Sequence, residues 1–371
     1  MCPGVLVTNG EYQQALAITR SLGRRGIAVH CVSTSKRAVA SRSRYCQRGI
    51  TLRQGGESTG ELLLEILEKG NYDAILPVGL EACWEASRLR EEMSKHARVP
   101  VPDLATMEGA VRKHLTVEIA ERVGVPVPVT ARPADIAEAE TWAGGNGYPV
   151  VVKGDVGSGG REVVVARDPG ELRDGYGLLA SRSPRPMVQE YVPGTGWGYS
   201  ALASEGEVLA ESGHRRLHEY PLGGGSSTMA RATRNPEIMG MGRRMLGAMG
   251  WTGVAMVEFR GSPGTGFRLM EVNPKFWGSL DLSIASGVDY PYLAYRLAMG
   301  LEIPDRATTR DVTFRWLSPD LRYSLEAGEV TGYIRRFLYP SVKSDLDMDD
   351  PGPGALVVRG MLSELWRHLR S

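Results

Sequence analysis

The feature that most constrains this chain is the run at residues 253–279, GVAMVEFRGSPGTGFRLMEVNPKFWGS. Its pattern predicts a β-hairpin. An apolar-rich strand runs over 254–260, and a return strand runs over 267–273. The turn between them, Gly261-Ser262-Pro263-Gly264-Thr265-Gly266, is made of residues that admit positive φ or end strand pairing. Side chains alternate faces along a strand, so Glu271 and Asn273 point the same way. Pro274 holds Asn273 extended and stops the strand. Glu258, on the partner strand, reaches that face if the register allows. Two carboxylates and one amide oxygen form a hard donor set with no His or Cys nearby. Such a set suits Mg²⁺ (or Mn²⁺), which keeps waters and binds through one or two carboxylates plus substrate phosphates.

The chain has 371 residues, enough for two or three domains. Its 42% hydrophobic and 23% charged content is that of a soluble globular protein. A net charge of +1 gives no global field for nucleic acid or an anionic membrane, and neither is expected as a partner. The basic stretch at 36–53 reads as a solvated loop. Cys2, Cys31, Cys46 and Cys83 form no CxxC pair and read as reduced thiols. No signal peptide precedes the first strand, and no apolar run approaches the ~20 residues of a membrane span. A cytoplasmic location is expected.

The first hundred residues alternate short apolar strands (5–7, 27–32, 74–78) with amphipathic helices (12–25, 61–68, 81–93). This alternation argues a parallel sheet with helices on both faces. The first turn, Thr8-Asn9-Gly10-Glu11-Tyr12, lacks the GxGxxG glycines, so no NAD site is expected. Pro100-Val101-Pro102-Asp103 is a plausible boundary. One helix is predicted over 106–123, with Lys113 in its middle and Gly124 as its cap. A strand at 148–153 ends in Lys153 and runs into GDVGSGGR at 154–161, with a return strand at 162–166. The lysine precedes the glycines, so this is not a P-loop. Gly157, Ser158, Gly159 and Gly160 nevertheless bring backbone N–H groups and a hydroxyl to a phosphate, beside the fixed charge of Lys153. Residues 187–194, MVQEYVPG, form a short strand cut off by Pro193-Gly194. Paired strands at 199–203 and 207–211 follow, then a helix at 234–249. Beyond Gly300 come a strand at 312–316, a Pro-Gly-Pro-Gly break at 351–354 and an amphipathic helix over about 355–370. This tail packs on the core or contacts another subunit.

In the order lysine, glycine loop, Gln189-Glu190-Tyr191-Val192, Glu258, Glu271-x-Asn273, the chain resembles the ATP-grasp superfamily over roughly residues 100–300. That superfamily includes biotin carboxylase, carbamoyl phosphate synthetase and D-alanine–D-alanine ligase. The Phe276-Trp277-Gly278-Ser279 after Asn273-Pro274 is similar to a bacterial branch of carboxylate–amine ligases. The resemblance implies an α/β fold, α+β in its catalytic part, preceded by a doubly wound parallel α/β domain. The implied divisions are 1–103, a small lobe with a glycine-rich lid at 104–186, a large lobe with the metal site at 187–300, and a C-terminal extension at 301–371.

It also implies roles. Lys113 (followed by Thr116 and Gly124-Val125-Pro126) and Lys153 would hold ATP phosphates, although Arg112 stands where the family usually carries Asp. In the segment with Gln189, Glu190 would accept from the adenine amino group, and the backbone of Tyr191 and Val192 would pair with the ring edge. Many members carry an acidic residue a few positions later for the ribose hydroxyls. Trp197 stands near there, so the ribose contact is unassigned. Glu258, Glu271 and Asn273 would hold the metal. Lys275, in place of a frequent arginine, would stabilise the transferred phosphoryl group. One of Arg215 and Arg216, which precede a glycine-rich segment, would hold the carboxylate substrate. The implied reaction joins a small-molecule carboxylate to an amine through an acyl phosphate, with release of ADP. A homodimer is compatible with this. A phosphotransferase or a nucleotide-binding regulator on the same fold stays open as an alternative.

Overall fold

A computed structural model describes residues 4–36, 38–53, 56–156, 162–182, 185–304, 310–339 and 341–368. The opening sheet is parallel, with strand order β3-β2-β1-β4, built from β1 (Gly4–Val7), β2 (Val29–Ser33), β3 (Cys46–Thr51) and β4 (Tyr72–Leu76). All four residues of β1 are buried, as in a strand covered on both faces. The helix Gln13–Gly23 follows β1, and the helix Thr59–Lys69 starts with a capping box between Ser58 and Glu61. β3 corrects the reading of 36–53 as a loop. It is an edge strand whose Gln47, Arg48 and Gly49 are exposed, so it carries no apolar pattern to read.

The second sheet is antiparallel, in the order β5-β8-β6-β7, from β5 (Thr130–Ala131), β6 (Val150–Lys153), β7 (Val163–Ala166) and β8 (Met187–Glu190). The predicted helix over 106–123 is two helices, Leu104–Val111 and Lys113–Arg122. Arg112 between them is extended, at φ −83° and ψ 110°. Lys113 is therefore the first residue of a helix rather than the middle of one.

The third sheet has seven strands, in the order β13-β12-β9-β10-β11-β14-β15. Its strands are β9 (Thr195–Ser204), β10 (Glu207–Tyr220), β11 (Ser226–Thr233), β12 (Gly253–Ser262), β13 (Gly266–Asn273), β14 (Thr313–Arg315) and β15 (Val342–Ser344). β10 runs nine residues further than the predicted 207–211 and carries the whole His214-Arg215-Arg216 stretch. The helix Pro236–Ala248, capped by Asn235, packs behind β9 and β10. There Trp197, Tyr199, Trp251 and Phe259 share one core. Phe276 and Trp277 are buried in another core, with Leu16 and Ile18 of the helix Gln13–Gly23 and Tyr290 of the helix Tyr290–Ala298. Truncating a buried Phe or Trp to Ala typically costs about 3–5 kcal/mol. This pair therefore pins the end of β13 against the first sheet's helix layer.

The last helix is Pro351–His368, so Pro351-Gly352-Pro353-Gly354 begins a helix instead of breaking one. Proline is tolerated in a first turn, where its missing N–H has no intrahelical acceptor. The segment before it is tied to the start of the chain. Arg20 Nε donates to Asp350 Oδ2 at 2.9 Å, and Ser43 Oγ and the Arg44 N–H reach the same carboxylate at 2.8 Å. The tail thus packs on the core.

Candidate active site

A cavity of about 380 Å³ opens between the second and third sheets. Its wall includes Lys113, Lys153, Gln189, Glu190, Tyr191, Val192, Arg216, Glu258, Glu271, Asn273 and Lys275, together with Leu222–Ser226, Trp277 and Gln14 of the first helix. Gly157, Ser158, Gly159 and Gly160 lie outside the described residues.

The hairpin register brings the two carboxylates together. Glu258 is the direct cross-strand partner of Glu271, just before a bulge between Glu258 and Phe259. Asn273 Nδ2 donates to Glu258 Oε1 at 2.9 Å and to Glu271 Oε1 at 3.1 Å. Burial, and then the charge of Glu258, push the Glu271 carboxyl above its usual range. Two carboxylates facing each other across the hairpin, with the Asn273 amide bridging them, form a hard donor set that fits a divalent cation with oxygen ligands. The residues could therefore hold Mg²⁺.

Lys153 is buried at the end of β6, and burial lowers its ammonium to about 8, an effect that the nearby charge of Lys113 reinforces. Lys113 is also buried, and its backbone N–H donates to Asp155 O at 2.9 Å. Asp155 further accepts from the His114 N–H at 3.2 Å and pairs with His114 Nδ1 at 2.6 Å. The base of the 154–161 loop is thereby fastened to the turn that presents Lys113. No local pattern signals this clasp, because Asp155 and His114 lie on separate elements.

At the exit of β8, Arg260 Nε donates to Val192 O at 2.9 Å, and Gln189 Nε2 donates to Thr130 Oγ1 at 2.9 Å. On β10 the two arginines part. Arg216 faces the cavity, donating to Glu258 Oε2 at 2.5 Å and to Gly225 O at 2.8 Å. Arg215 is exposed and lies over the Trp197 ring, 5.8 Å from its centroid. Trp197 itself packs edge-on against Phe267 in the core, 5.3 Å between centroids. Lys275 lines the cavity just beyond Asn273.

Residues 182–319, which include the hairpin, match the family described as "ATP-grasp in the biosynthetic pathway with Ter operon". The chain is 28% identical over 270 residues to the uncharacterised protein y4rH of Sinorhizobium fredii, covering 68% of this chain and 54% of that protein. It thus spans about half the length of that relative. Among solved structures, it superposes on biotin carboxylase from Campylobacter jejuni in a β,γ-ATP complex with TM-score 0.70, at 17% identity, over 83% of this chain and 74% of that one. It superposes on the L-amino acid ligase from Bacillus licheniformis with TM-score 0.64, at 18% identity, over 80% of this chain and 74% of that one. The chain has the ATP-grasp fold. Among the described residues no helix is long and apolar enough to cross a membrane.

Proposed function

We propose that the protein is an ATP-dependent carboxylate–amine ligase working through an acyl phosphate. The observation that carries the reading is the convergence on one cavity of Glu258, Glu271 and Asn273 with the buried Lys113 and Lys153 and the Gln189–Val192 edge. Glu258, Glu271 and Asn273 would hold Mg²⁺, which when bound neutralises phosphate charge. Lys153 and Lys113 orient the phosphates. The backbone at Tyr191 and Val192 sets the base, with Glu190 accepting from its amino group. Lys275 steadies the group in transfer as a point charge, without the planar fork of an arginine. A substrate carboxylate oxygen attacks the γ-phosphorus, and the bond to the β-phosphate oxygen breaks to release ADP. The amine nitrogen then attacks the acyl carbon, phosphate leaves, and the nitrogen loses a proton. Positioning and charge neutralisation carry the rate.

The test is ADP release from Mg-ATP over pairs of amino acids and small carboxylates. ADP formed only with an acid and amine together, with an amide product, is the expected result. A stable phosphoester product would instead make the protein a phosphotransferase, and no ADP under any pair would remove the enzyme reading.

We assign the grip on the acid to Arg216. Its fork holds oxygens in pairs, and the cavity wall gives it Glu258 and the 222–226 segment as neighbours. Arg216→Ala is expected to raise the KM for the acid, or to stop acyl-phosphate formation, while ATP still binds. Arg215→Ala should keep near-normal kinetics. Full ligase activity in both variants would move the acid site elsewhere, to Lys275 or Arg268.

A further inference from the structure

Arg216 holds a place that a divalent cation also needs. Its Nη2 donates to Glu258 Oε2 at 2.5 Å, while Asn273 Nδ2 donates to the other oxygen, Glu258 Oε1, at 2.9 Å. Only 13% of the Arg216 side chain and 17% of the Glu258 side chain are exposed, so water screens this ion pair little. Burial works against the Arg216 charge, but the carboxylates of Glu258 and Glu219, with Glu271 beyond them, hold the guanidinium above its ordinary range. Glu258 and Glu271 face each other across the hairpin, and two carboxylates so placed need a positive charge beside them. Arg216 supplies one, on an oxygen of the metal's own donor set. The other arm of its fork, Nη1, donates to Gly225 O at 2.8 Å. Its Nε, beside Gly196 on the cavity wall, has no acceptor among the described residues.

We propose that Arg216 is the built-in counter-cation of the metal site, that it and the divalent ion exchange on Glu258, and that this exchange makes acid binding follow metal binding. The inference rests on the metal and acid roles proposed above. A guanidinium and a divalent ion on one poorly screened carboxylate repel each other, so each weakens the other's hold. Both Glu258 oxygens already accept a side-chain N–H, which an incoming ion has to displace. Once the ion has taken Glu258, that carboxylate no longer holds Arg216, and the fork turns to a substrate carboxylate, with Nε as a donor not yet engaged. Before that, a second carboxylate on the same guanidinium would stand against Glu258 as a like charge. The coupling is reciprocal, so acid on Arg216 tightens the ion as the ion tightens the acid. A donor that merely oriented Glu258 for the metal would act with the opposite sign, because its removal weakens metal binding.

The experiment is Mn²⁺ binding to the full chain, without nucleotide and again with ADP, followed by the electron spin resonance of free Mn²⁺. It compares wild type, Arg216→Met, Arg216→Gln and the double variant Arg216→Met with Glu258→Gln, and reads the Tm of each with and without Mn²⁺. Arg216→Met should bind Mn²⁺ about ten-fold or more tightly than wild type, the worth of one charged hydrogen bond that the ion no longer displaces. Its Tm without metal should fall, because the carboxylate pair has lost its cation, and Mn²⁺ should restore it. Arg216→Gln still donates to Glu258 but carries no charge. It should gain in the same direction, and it carries the test if the methionine variant does not fold. The double variant should lose the gain. Unchanged or weaker Mn²⁺ binding by the folded single variants overturns the proposal, and so does a Tm loss that Mn²⁺ does not recover. Failure of Mn²⁺ to bind wild type and variants alike, with or without ADP, would instead take down the metal reading beneath it.

Discussion

Replacing Glu271 by alanine is expected to abolish ADP formation, by about 10³-fold or more. That is the scale of the several kcal/mol a divalent ion supplies against phosphate charge. Glu258→Ala and Asn273→Ala should each lose most of the activity, since each removes one oxygen of the same donor set. The same geometry predicts that stability moves the other way. Glu271 is half-buried opposite Glu258, and its carboxyl is raised above the usual range by desolvation and then by that charge. An acid whose folded pKa lies above its unfolded value binds its proton more tightly when folded. Its ionised form at neutral pH therefore costs stability, a cost that fades as pH falls through the folded pKa. Glu271→Gln keeps the shape and removes the charge, so its Tm without metal should equal or exceed that of wild type while turnover is lost. A purely structural glutamate would lose Tm and activity together. Nearly wild-type ADP formation by Glu271→Gln or Glu271→Ala would remove the centre of the proposed function.

The hairpin that carries this pair was legible because period-two alternation and a glycine-rich turn both survive in the sequence. Only the register was open, and the structure sets Glu258 directly across from Glu271. Other features were hidden for physical reasons. β3 is an edge strand with polar residues exposed, so it has no apolar face to reveal it. The break at Arg112 follows no proline or glycine. What accompanies it is a tertiary bond, from the Lys113 N–H to Asp155 O, which no local pattern encodes. β10 continues through Arg215, Arg216 and Glu219 as a polar stretch, with Arg216 on the cavity wall and Arg215 exposed. A strand reading that expects apolar residues inward stops at 211 instead. The bulges that bring Glu219 beside Arg216 depart from the periodicity on which such a reading depends.

Lys153→Met is expected to lower turnover by about 10²–10³, the loss that follows removal of one preorganised electrostatic donor. Lys113→Met should cost less, or mainly weaken nucleotide binding. Lys153 also predicts a pH dependence whose sign is fixed. Burial disfavours its charged form and brings its pKa to about 8, against an ordinary lysine value above 10. Phosphate holds the ammonium form, so bound nucleotide raises that pKa again. Below pH 8 the lysine is already charged, and ATP affinity should be nearly flat. Above pH 8 each binding event must take up a proton, and affinity should weaken toward ten-fold per pH unit until the pKa of the complex is reached. Titrations of ATP between pH 7 and 9.5, run on wild type and Lys153→Met, read this directly. The wild-type curve should bend near pH 8, and the methionine variant, weaker throughout, should lack the bend. Parallel curves for the two proteins, or equal ATP affinity and rate in the Lys153 and Lys113 variants, would show that these lysines do not hold the phosphates.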